Sequence, residues 1–508
     1  MNGPRPLMFI GLDSAEPKLL RRWMASGDLP VLARLAERSV VGETTVPPGF
    51  GNGTLWPSVF TGVNPARHGR MWFQQIVPGT YRVEAFDDDE GFGARPLWEA
   101  FSAAGRRCAV VDVVRAPLSR SINGIHVCDW FTHDRNSPPR SEPPAELERI
   151  IRAYGDDPFG GHVDRPDMGA EGFASLRRGL VDRIGVKTRC MLDLLGRSPW
   201  DFFMTVYADP HDIGHMCWHL HEEDHPLHDA SLRQRLGDPI KAVYVALDRA
   251  VGDLLAAAPA EATVIVFGGP GMQRFASASH LLDRILTRLE PGRGGQRAAV
   301  RHRLKALWRD ALPQRLRTAL KGASNRVGAA MREAEQARRT CFAVPNNDEY
   351  GAIRFNVVGR EPNGRVQPGG EYEALCERIS EELLKVVDLD TGKPIVKTMI
   401  RVSDVYQGPY RDRLPDLVAI WALENSAEAV GSPSIGEIRG RHSTFRTGDH
   451  SDRCMFYVSG GGLAPGELPE PVCYLDFAAT LPALVGVPVA GLDGRPIPRM
   501  LPAASAAA

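Results

Sequence analysis

The sequence predicts an α/β protein in which helices sandwich a mostly parallel β-sheet. Two observations lead to this prediction. Short apolar runs rich in β-branched residues alternate along the chain with stretches of helical periodicity, as in sheets covered by helices. The chain also has 508 residues, which is too long for one small core. We therefore expect one large α/β core that carries insertions.

Six runs are predicted as strands and four as helices. The predicted strands are Leu7–Leu12, Cys108–Val113, Phe202–Tyr207, Thr263–Phe267, Leu417–Trp421 and Met455–Val458. The predicted helices are Pro17–Arg38, Pro239–Ala257, Glu371–Lys385 and Leu475–Val485. Pro17 and Asp476 stand near helix starts, where proline is tolerated and acidic side chains are favoured.

Two segments are predicted to be insertions between a core part at 1–290 and a second core part at 406–508. Residues Arg293–Arg339 contain thirteen Lys/Arg against three Asp/Glu, with Leu and Ala at helical spacing. This pattern favours a solvated amphipathic helical insertion, and a basic lid or docking face for an anionic substrate is the alternative. Gly351–Asp404, with the strand-like run Ile353–Val358, is predicted to form a small cap.

Composition excludes several partners. A formal net charge of −1 gives no attraction to nucleic acid or to an anionic membrane. No apolar run approaches the roughly 18–20 residues that span a bilayer. The segment Met1–Asp13 is too short in apolar residues for a signal-peptide core. The eight cysteines are scattered without a C-x-x-C pair, which favours a reducing cytoplasm over a disulfide framework.

Candidate site residues follow the predicted strands. Asp13 ends the first strand, and open α/β sheets bind ligands at the carboxyl ends of their strands. A helix N-cap is the structural alternative for Asp13, although the residue lies early for a helix that starts near Pro17. His211 and His215 come directly after Phe202–Tyr207 and are four residues apart, so on a helix both side chains reach one metal ion.

Other polar residues near these histidines have less definite roles. Asp209 and Asp212 are candidate ligands or acceptors for imidazole N–H groups. His450, before the strand Met455–Val458, is expected to reach the same sheet edge from a distant part of the chain. The outer histidines lack this placement and are predicted to be solvated. They are His219, His221, His225 and His228.

The order of these motifs resembles the alkaline phosphatase superfamily, in particular its type I phosphodiesterase/nucleotide pyrophosphatase branch. The matching stretches are Phe9–Asp13, Leu29–Leu35, Trp56–Gly69, Gly351–Asn356, Gly359–Glu361, Arg413–Leu417 and Thr447–His450. The resemblance implies an alkaline-phosphatase-like fold with cap insertions. It also implies two metal ions, usually zinc, on either side of a Thr or Ser nucleophile, which clamp the attacking and leaving oxygens of a phosphoryl transfer.

Carried over residue by residue, the resemblance implies one complete and one altered half-site. The first metal's ligands correspond to His211, His215 and His450, with His211 where the family usually has Asp. The second half retains Asp13, but Gly268–Gly271 replaces the Asp-His dipeptide expected after Thr263–Phe267 and offers no side-chain donor. We therefore expect one divalent transition metal, Zn²⁺ before Fe or Mn, with Asp13 as a further candidate ligand.

The nucleophile position is altered as well. The family spacing back from Thr61 places Asn52 there, and an amide is not a nucleophile. Gly51 and Gly53 flank Asn52 and would let the backbone approach a ligand closely. Thr54 is the alternative if the loop Gly49–Gly53 shifts by two residues. Asn52 in this position is expected to donate a hydrogen bond to a developing oxyanion.

These observations favour a metal-dependent phosphoester hydrolase or transferase that acts on a small anionic molecule. A single metal at the three histidines would polarise the substrate and activate water. Two alternatives remain open: a non-phosphoryl biosynthetic enzyme (a lyase, isomerase or transferase) on a repurposed scaffold, or a catalytically silent binding protein. Fold alone does not decide among them.

Overall fold

A computed structural model describes residues 5–165, 168–290 and 331–502. The strands in chain order are β1 Leu7–Leu12, β2 Ser39–Thr45, β3 Gln74–Ile76, β4 Val83–Ala85, β5 Cys108–Val111, β6 Gly124–Cys128, β7 Arg140–Glu142, β8 Phe202–Tyr207, β9 Thr263–Phe267, β10 Met272–Arg274, β11 Cys341–Val344, β12 Tyr350–Phe355, β13 Val387–Asp388, β14 Val396–Arg401, β15 Leu417–Trp421, β16 Ala429–Ser432, β17 Gly436–Arg439, β18 Gly448–His450, β19 Arg453–Ser459 and β20 Gly466–Glu467.

The helices lie between these strands. They are α1 Pro17–Ala25, α2 Pro30–Glu37, α3 Asn52–Thr61, α4 Pro65–His68, α5 Leu97–Ala103, α6 Pro144–Tyr154, α7 Ala170–Arg197, α8 Asp209–His221, α9 Ala230–Leu236, α10 Pro239–Ala257, α11 Ser279–Leu289, α12 Gly370–Leu384, α13 Val402–Val405 and α14 Tyr474–Val485, with 3₁₀ turns at Arg411–Arg413 and Pro498–Met500. No helix in the described part of the chain is long and apolar enough to cross a membrane.

The main sheet has nine strands in the order β20-β2-β19-β9-β1-β8-β5-β6-β7. Its centre is parallel: β1 pairs in parallel with both β8 and β9. The register places Leu12 beside Tyr207 and Gly11 beside Phe267. The carboxyl ends of these three strands therefore meet at one edge of the sheet, which is where ligands bind in such folds.

Helices cover both faces of this sheet, as the unbroken apolar strands require. Along β1, Met8 and Ile10 face a core shared with α7, α8 and α10. The alternate residues Leu7 and Phe9 face a core shared with α3, α5 and α14. The predicted mostly parallel sheet between two helical layers is confirmed.

A second sheet of four antiparallel strands, in the order β11-β12-β15-β14, has its own apolar core with α11 and α12. The predicted strand Leu417–Trp421 exists, but it belongs to this sheet as β15. β14 and β15 lie on opposite sides of residue 405, so this sheet extends beyond the segment expected to be the cap. The limits of the insertion stay a prediction.

Some predicted elements differ from those observed. The single helix Pro17–Arg38 is wrong, because α1 ends at Ala25 and α2 begins at Pro30. Gly27 between them has a φ of 79°, which a continuous helix does not allow, and proline is favoured in the first turn of a helix. The predicted strand Ile353–Val358 starts and ends too late, because the strand observed there is β12, Tyr350–Phe355. Of the basic segment Arg293–Arg339, residues 293–330 lie outside the described residues.

Candidate functional site

Three histidines meet at the carboxyl edge of the main sheet. α8 begins directly after β8, and its first two turns carry His211 and His215 on one side of the helix. His450 lies on β18, which pairs with β10 just after β9, so Met272 stands opposite His450. One nitrogen from each imidazole lies within 4.8 Å of the others. The structure therefore brings together the three side chains that the sequence selected from two distant segments.

The three imidazoles are neutral and fully enclosed. Burial lowers the pKa of His211 and His215 well below the ordinary value and that of His450 to about 3. His215 Nδ1 donates to the Gly448 carbonyl at 2.8 Å, which leaves Nε2 as the lone-pair nitrogen that faces the cluster. His215 Nε2 lies 3.2 Å from His211 Nε2. Neutral nitrogens held face to face are the donor set that a transition metal requires.

The ring planes suit one shared ion. The ring of His215 stands at 82° to that of His211 and at 87° to that of His450. His211 Nε2 is the nitrogen that faces His215, while the other ring nitrogen, Nδ1, lies 3.7 Å from Asp212 Oδ1. The histidine cluster, defined as His211, His215 and His450, thus fits one tetrahedral metal ion with an open position.

Asp13 lies beside this cluster with both carboxylate oxygens already engaged. Its Oδ1 accepts from Trp56 Nε1 at 2.7 Å, and its Oδ2 is 2.8 Å from His133 Nε2. Burial alone would lower the pKa of His133, but its interactions with Asp13 and Asp134 outweigh burial and raise the pKa to about 9. Asp13 therefore faces an imidazolium ion and an indole N–H.

Asp13, His133 and His211 form a second group of possible ligands within 4.8 Å, yet they do not fit a second ion. The rings of His133 and His211 are stacked, with centroids 3.5 Å apart and planes at 16°. A metal binds in the plane of an imidazole, so stacked parallel rings direct their lone pairs side by side rather than to one point. The Asp13–His133 pair is therefore better described as a hydrogen-bonded ion pair.

The glycine-rich loop after β9, Gly268–Gly271, packs closely against Asp13. Gly269 has a φ of 62°, and a Cβ there would lie 3.0 Å from Asp13 Oδ1 and from the Ser14 nitrogen. The loop packs its backbone directly against Asp13. No side chain of Gly268–Gly271 is available as a donor, in agreement with the reading of the sequence.

Asn52 and Thr54 occupy different environments. Asn52 is the first residue of α3, and its Nδ2 lies 3.0 Å from His450 Nε2. Thr54 is fully buried in the same helix, and its Oγ1 has no hydrogen-bond partner. The two flanking glycines also have a packing role, and the expected approach of the backbone to a ligand stays a prediction. A Cβ on Gly53 would lie 2.4 Å from the Met71 carbonyl, and a Cβ on Gly51 would lie 3.0 Å from the Tyr350 ring.

A narrow cleft opens above the histidine cluster. It is lined by Asn52, Gly53, Trp72, Phe73, Val114, Arg115, His133, Asp134, His211, Asn347, Asp348, Arg446, Asp449 and His450. Arg446 Nη1 lies 3.3 Å from His215 Nε2, and the same guanidinium pairs with Asp164 at 2.7 Å and Asp134 at 3.1 Å. The cleft therefore combines the imidazoles of His133, His211 and His450 with charged groups of both signs.

The polar residues on and after α8 differ in part from expectation. The buried Arg183 of α7 binds Asp209 at 2.8 Å and Asp212 Oδ2 at 2.5 Å. The other oxygen of Asp212 lies 3.7 Å from His211 Nδ1, so its role as an acceptor for that imidazole stays a prediction. The outer histidines are not solvated. His219 and His225 are buried, with hydrogen bonds to Thr447, and His221 and His228 are half-buried, with hydrogen bonds to Asp238 and the His219 carbonyl. α8 is buried on all sides, and its many histidines did not indicate this burial in the sequence.

His133 was missed by the sequence reading. It belongs to the loop after β6, and β6 was not among the predicted strands. Gly124–Cys128 is a short run, and its sheet neighbours β5 and β7 are equally short. The available signal was a His-Asp dipeptide shortly after an apolar run, which shares with His211 only the position after a strand. Recognition of β6 as a strand would have placed His133 at the same edge.

A family model described as type I phosphodiesterase / nucleotide pyrophosphatase matches residues 7–444. Among solved structures, phosphonoacetate hydrolase from Sinorhizobium meliloti, in complex with phosphonoformate, is 15% identical with a TM-score of 0.52, over 95% of this chain and 96% of that chain. An inactive murine ectonucleotide pyrophosphatase/phosphodiesterase 5 in complex with AMP is 12% identical with a TM-score of 0.50, over 97% of each chain. These similarities confirm the alkaline-phosphatase-like fold. No curated protein matches the chain.

Proposed function

Since the chain belongs to the type I phosphodiesterase/nucleotide pyrophosphatase family, we propose that it is a hydrolase or transferase of small anionic phosphoesters that uses a single divalent transition metal, zinc in the first place. His211, His215 and His450 would hold the metal. The observation that carries the proposal is the convergence of three neutral, buried imidazole nitrogens at the carboxyl edge of the sheet. Such a metal supplies Lewis acidity toward a phosphoryl oxygen and lowers the pKa of a water molecule.

The surrounding residues supply the rest of the anion site. Asn52 Nδ2 points toward His450 and would donate a hydrogen bond to an oxygen that gains charge in the transition state. Asn52 also opens α3, a ten-residue helix whose N-terminus carries partial positive charge toward the cleft. Arg446, held by two carboxylates, adds a fixed positive group beside His215. Together these groups favour a substrate with a negatively charged phosphoryl group.

We propose one metal ion rather than the family's two because the second half-site is already neutralised. The His133 imidazolium and the Trp56 indole satisfy Asp13, the carboxylate that the family uses for its second metal. The neighbouring loop Gly268–Gly271 adds no donor. With an amide at the nucleophile position, attack by water without a phosphorylated intermediate is the route that these residues support.

Metal stoichiometry tests this proposal independently of activity. We expect about one zinc, iron or manganese per chain in the purified protein, measured by elemental analysis, and a loss of most of it in His215→Ala. The exposed His162→Ala is the matched control and should keep the metal. Gly269→Asp/Pro270→His should not raise the value to two, because a side chain at 269 meets Asp13. Two tightly bound ions in the wild type would refute the one-metal site.

A non-phosphoryl enzyme on the same scaffold is the second candidate. It is favoured by one observation, the amide of Asn52 where the family resemblance implies a hydroxyl nucleophile. The two candidate functions differ in whether the metal-loaded protein turns over phosphoesters. A metal-loaded protein with no measurable activity on phosphodiesters, phosphomonoesters or phosphonates would favour the second candidate.

A further inference from the structure

One guanidinium in the cleft has no hydrogen-bond or ion-pair partner among the described residues. Arg115 lines the cleft with His211 and His450, and it forms no hydrogen bond or ion pair with any residue in the described ranges. Its nearest aromatic contact is loose, with the guanidinium carbon 5.6 Å from the centroid of Phe73. Arg446, the other arginine of the cleft, is neutralised by Asp134 and Asp164. Arg115 is therefore the cleft arginine whose donors remain free.

The loop that carries Arg115 is fixed rather than loose. It follows β5, and Asp112 at its base binds Lys187 Nζ at 2.7 Å and accepts from the backbone nitrogens of Trp130 and Phe131. Arg115 itself has a φ of 60°, in the left-handed region that residues with long side chains seldom adopt. Such backbone strain persists where the surrounding structure holds it, and it is concentrated at functional sites. The fold thus presents Arg115 at the cleft at some conformational cost.

The neighbouring carboxylates do not form an ion pair with Arg115. Burial raises the pKa of Asp88 to about 6, and the charge of Arg115 opposes that rise from a distance without forming an ion pair. Asp134 is bound by Arg446, and Asp348 is bound by Ser279 and lies 3.4 Å from His442. A half-buried guanidinium with a free fork of donors matches the geometry of a carboxylate or a phosphoryl group.

We infer that Arg115 binds a second anionic group of the substrate, a carboxylate or a phosphoryl group, while the histidine cluster holds the first. This inference rests on the function proposed above and narrows its substrate class to small molecules with two anionic groups. Trp72 and Phe73 line the same cleft and offer apolar surface to a short linker between the two groups. Arg115 is then a specificity-determining residue.

The test compares three ligands that differ only in the second group. Ethylphosphonate carries one anionic group, 2-carboxyethylphosphonate adds a carboxylate, and ethylene-1,2-bisphosphonate adds a second phosphonate. Their dissociation constants are measured by calorimetry on the metal-containing wild type. We expect at least one two-anion ligand to bind about tenfold more tightly than ethylphosphonate, the gain typical of one charge-assisted bidentate contact. The preferred ligand identifies the second group as carboxylate or phosphoryl.

The variants separate recognition from a general effect of charge. Arg115→Gln should reduce the ratio of the affinities for a two-anion ligand and for ethylphosphonate to about one. Arg115→Lys keeps the charge but loses the two parallel N–H donors of the guanidinium, so it should restore only part of that ratio. Arg120→Gln removes an exposed arginine from the same connection and should keep the full preference. A purely structural role of Arg115 would shift the unfolding temperature and leave the ratio of affinities unchanged.

The outcomes distinguish this inference from the proposed function. Equal affinity of the wild type for all three ligands, or a preference that survives Arg115→Gln, would overturn the role of Arg115 and leave the metal-centred function intact. Failure of every phosphonate to bind the metal-loaded wild type would overturn the proposed function and the second-anion subsite with it.

Discussion

At the scale of single residues, the pair formed by Asp13 and His133 defines how this site differs from a two-metal centre. A carboxylate that is 0% exposed needs positive charge or several donors to stay ionised. Here an imidazolium at 2.8 Å and an indole N–H at 2.7 Å provide them from protein side chains. The consequence is local: Asp13 can support the histidine cluster electrostatically without being a ligand.

Asn52 and Thr54 can be separated by activity. Wild type is expected to hydrolyse nitrophenyl phosphodiesters slowly, with no phosphorylated protein on rapid quenching. Asn52→Ala should lower turnover by roughly 10²–10³-fold if its amide stabilises the oxyanion. Thr54→Val, which removes a buried hydroxyl without a partner, should stay within about twofold. A trapped phosphothreonine that disappears in Thr54→Val would show instead that Thr54 is the nucleophile.

The residues that sequence reasoning recovered share a strong local signal. His211 and His215 follow a buried six-residue strand at helical spacing, and Asp13 ends another such strand. His133 escaped because β6 and its two neighbours are short and its role depends on a contact with Asp13 across 120 positions. The solvation of His219 and His225 was predicted wrongly because a helix covered on every side shows no apolar stripe.

At the scale of elements, α8 is the helix on which the site depends, and Arg183 fixes it from α7. The guanidinium is 2% exposed and binds Asp209 and Asp212 of α8, with Asp157 at 3.6 Å. Burial raises the pKa of Asp212 to about 7 in spite of this cation. The arrangement keeps three buried carboxylates from destabilising the first turn of the helix that carries His211.

Removal of Arg183 should therefore affect both stability and the metal. Arg183→Met leaves buried carboxylates without their partner and is expected to cost about 3–5 kcal/mol in urea unfolding. Displacement of His211 should weaken metal affinity about 10–100-fold, measured by competition with a chelator. Arg178→Met on the same helix, where the ion pair with Glu171 is exposed, is the control and should change neither quantity appreciably. Unchanged metal affinity in Arg183→Met would show that α8 holds its geometry without this ion-pair cluster.

At the scale of the whole molecule, the sequence predicted the main sheet well and the second sheet poorly. All six predicted strands exist, because each contains a run of apolar residues. Their assignment to one sheet failed for β15, since the alternation of strands and helices does not reveal which strands pair. β14 has a half-exposed pattern, and β15 pairs with β12, from which β13 and β14 separate it in sequence, so only the folded chain identifies the four-stranded sheet.

Buried neutral histidines outside the site make global stability depend on pH. His68 and His126 are fully buried, accept hydrogen bonds from the backbone nitrogens of Arg70 and Ser119, and have a pKa lowered to about 3 by burial. Below the unfolded value near 6.5 the unfolded chain takes up a proton that the folded chain does not. Stability is therefore complete above pH 6.5 and falls progressively as the pH decreases toward 3.

This dependence can be measured by urea unfolding between pH 7 and pH 4.5. Each histidine is expected to cost on the order of 1–2 kcal/mol at pH 5. His126→Gln should be less stable than the wild type at pH 7 but should lose less stability on acidification, because one proton-binding site of the unfolded state is gone. Parallel pH profiles for the two proteins would contradict the assignment of a neutral buried His126.

The position of β2 in the main sheet has a consequence for the synthesis of the chain. β2 is synthesised long before its two neighbours, β19 and β20, which lie beyond residue 452. Its backbone N–H and C=O groups consequently have no native strand to pair with until β19 or β20 has emerged. Unpaired strands are prone to association with other chains. Ribosome stalling or truncation before residue 450 would thus leave an open sheet edge beside β9 and a candidate metal site without His450.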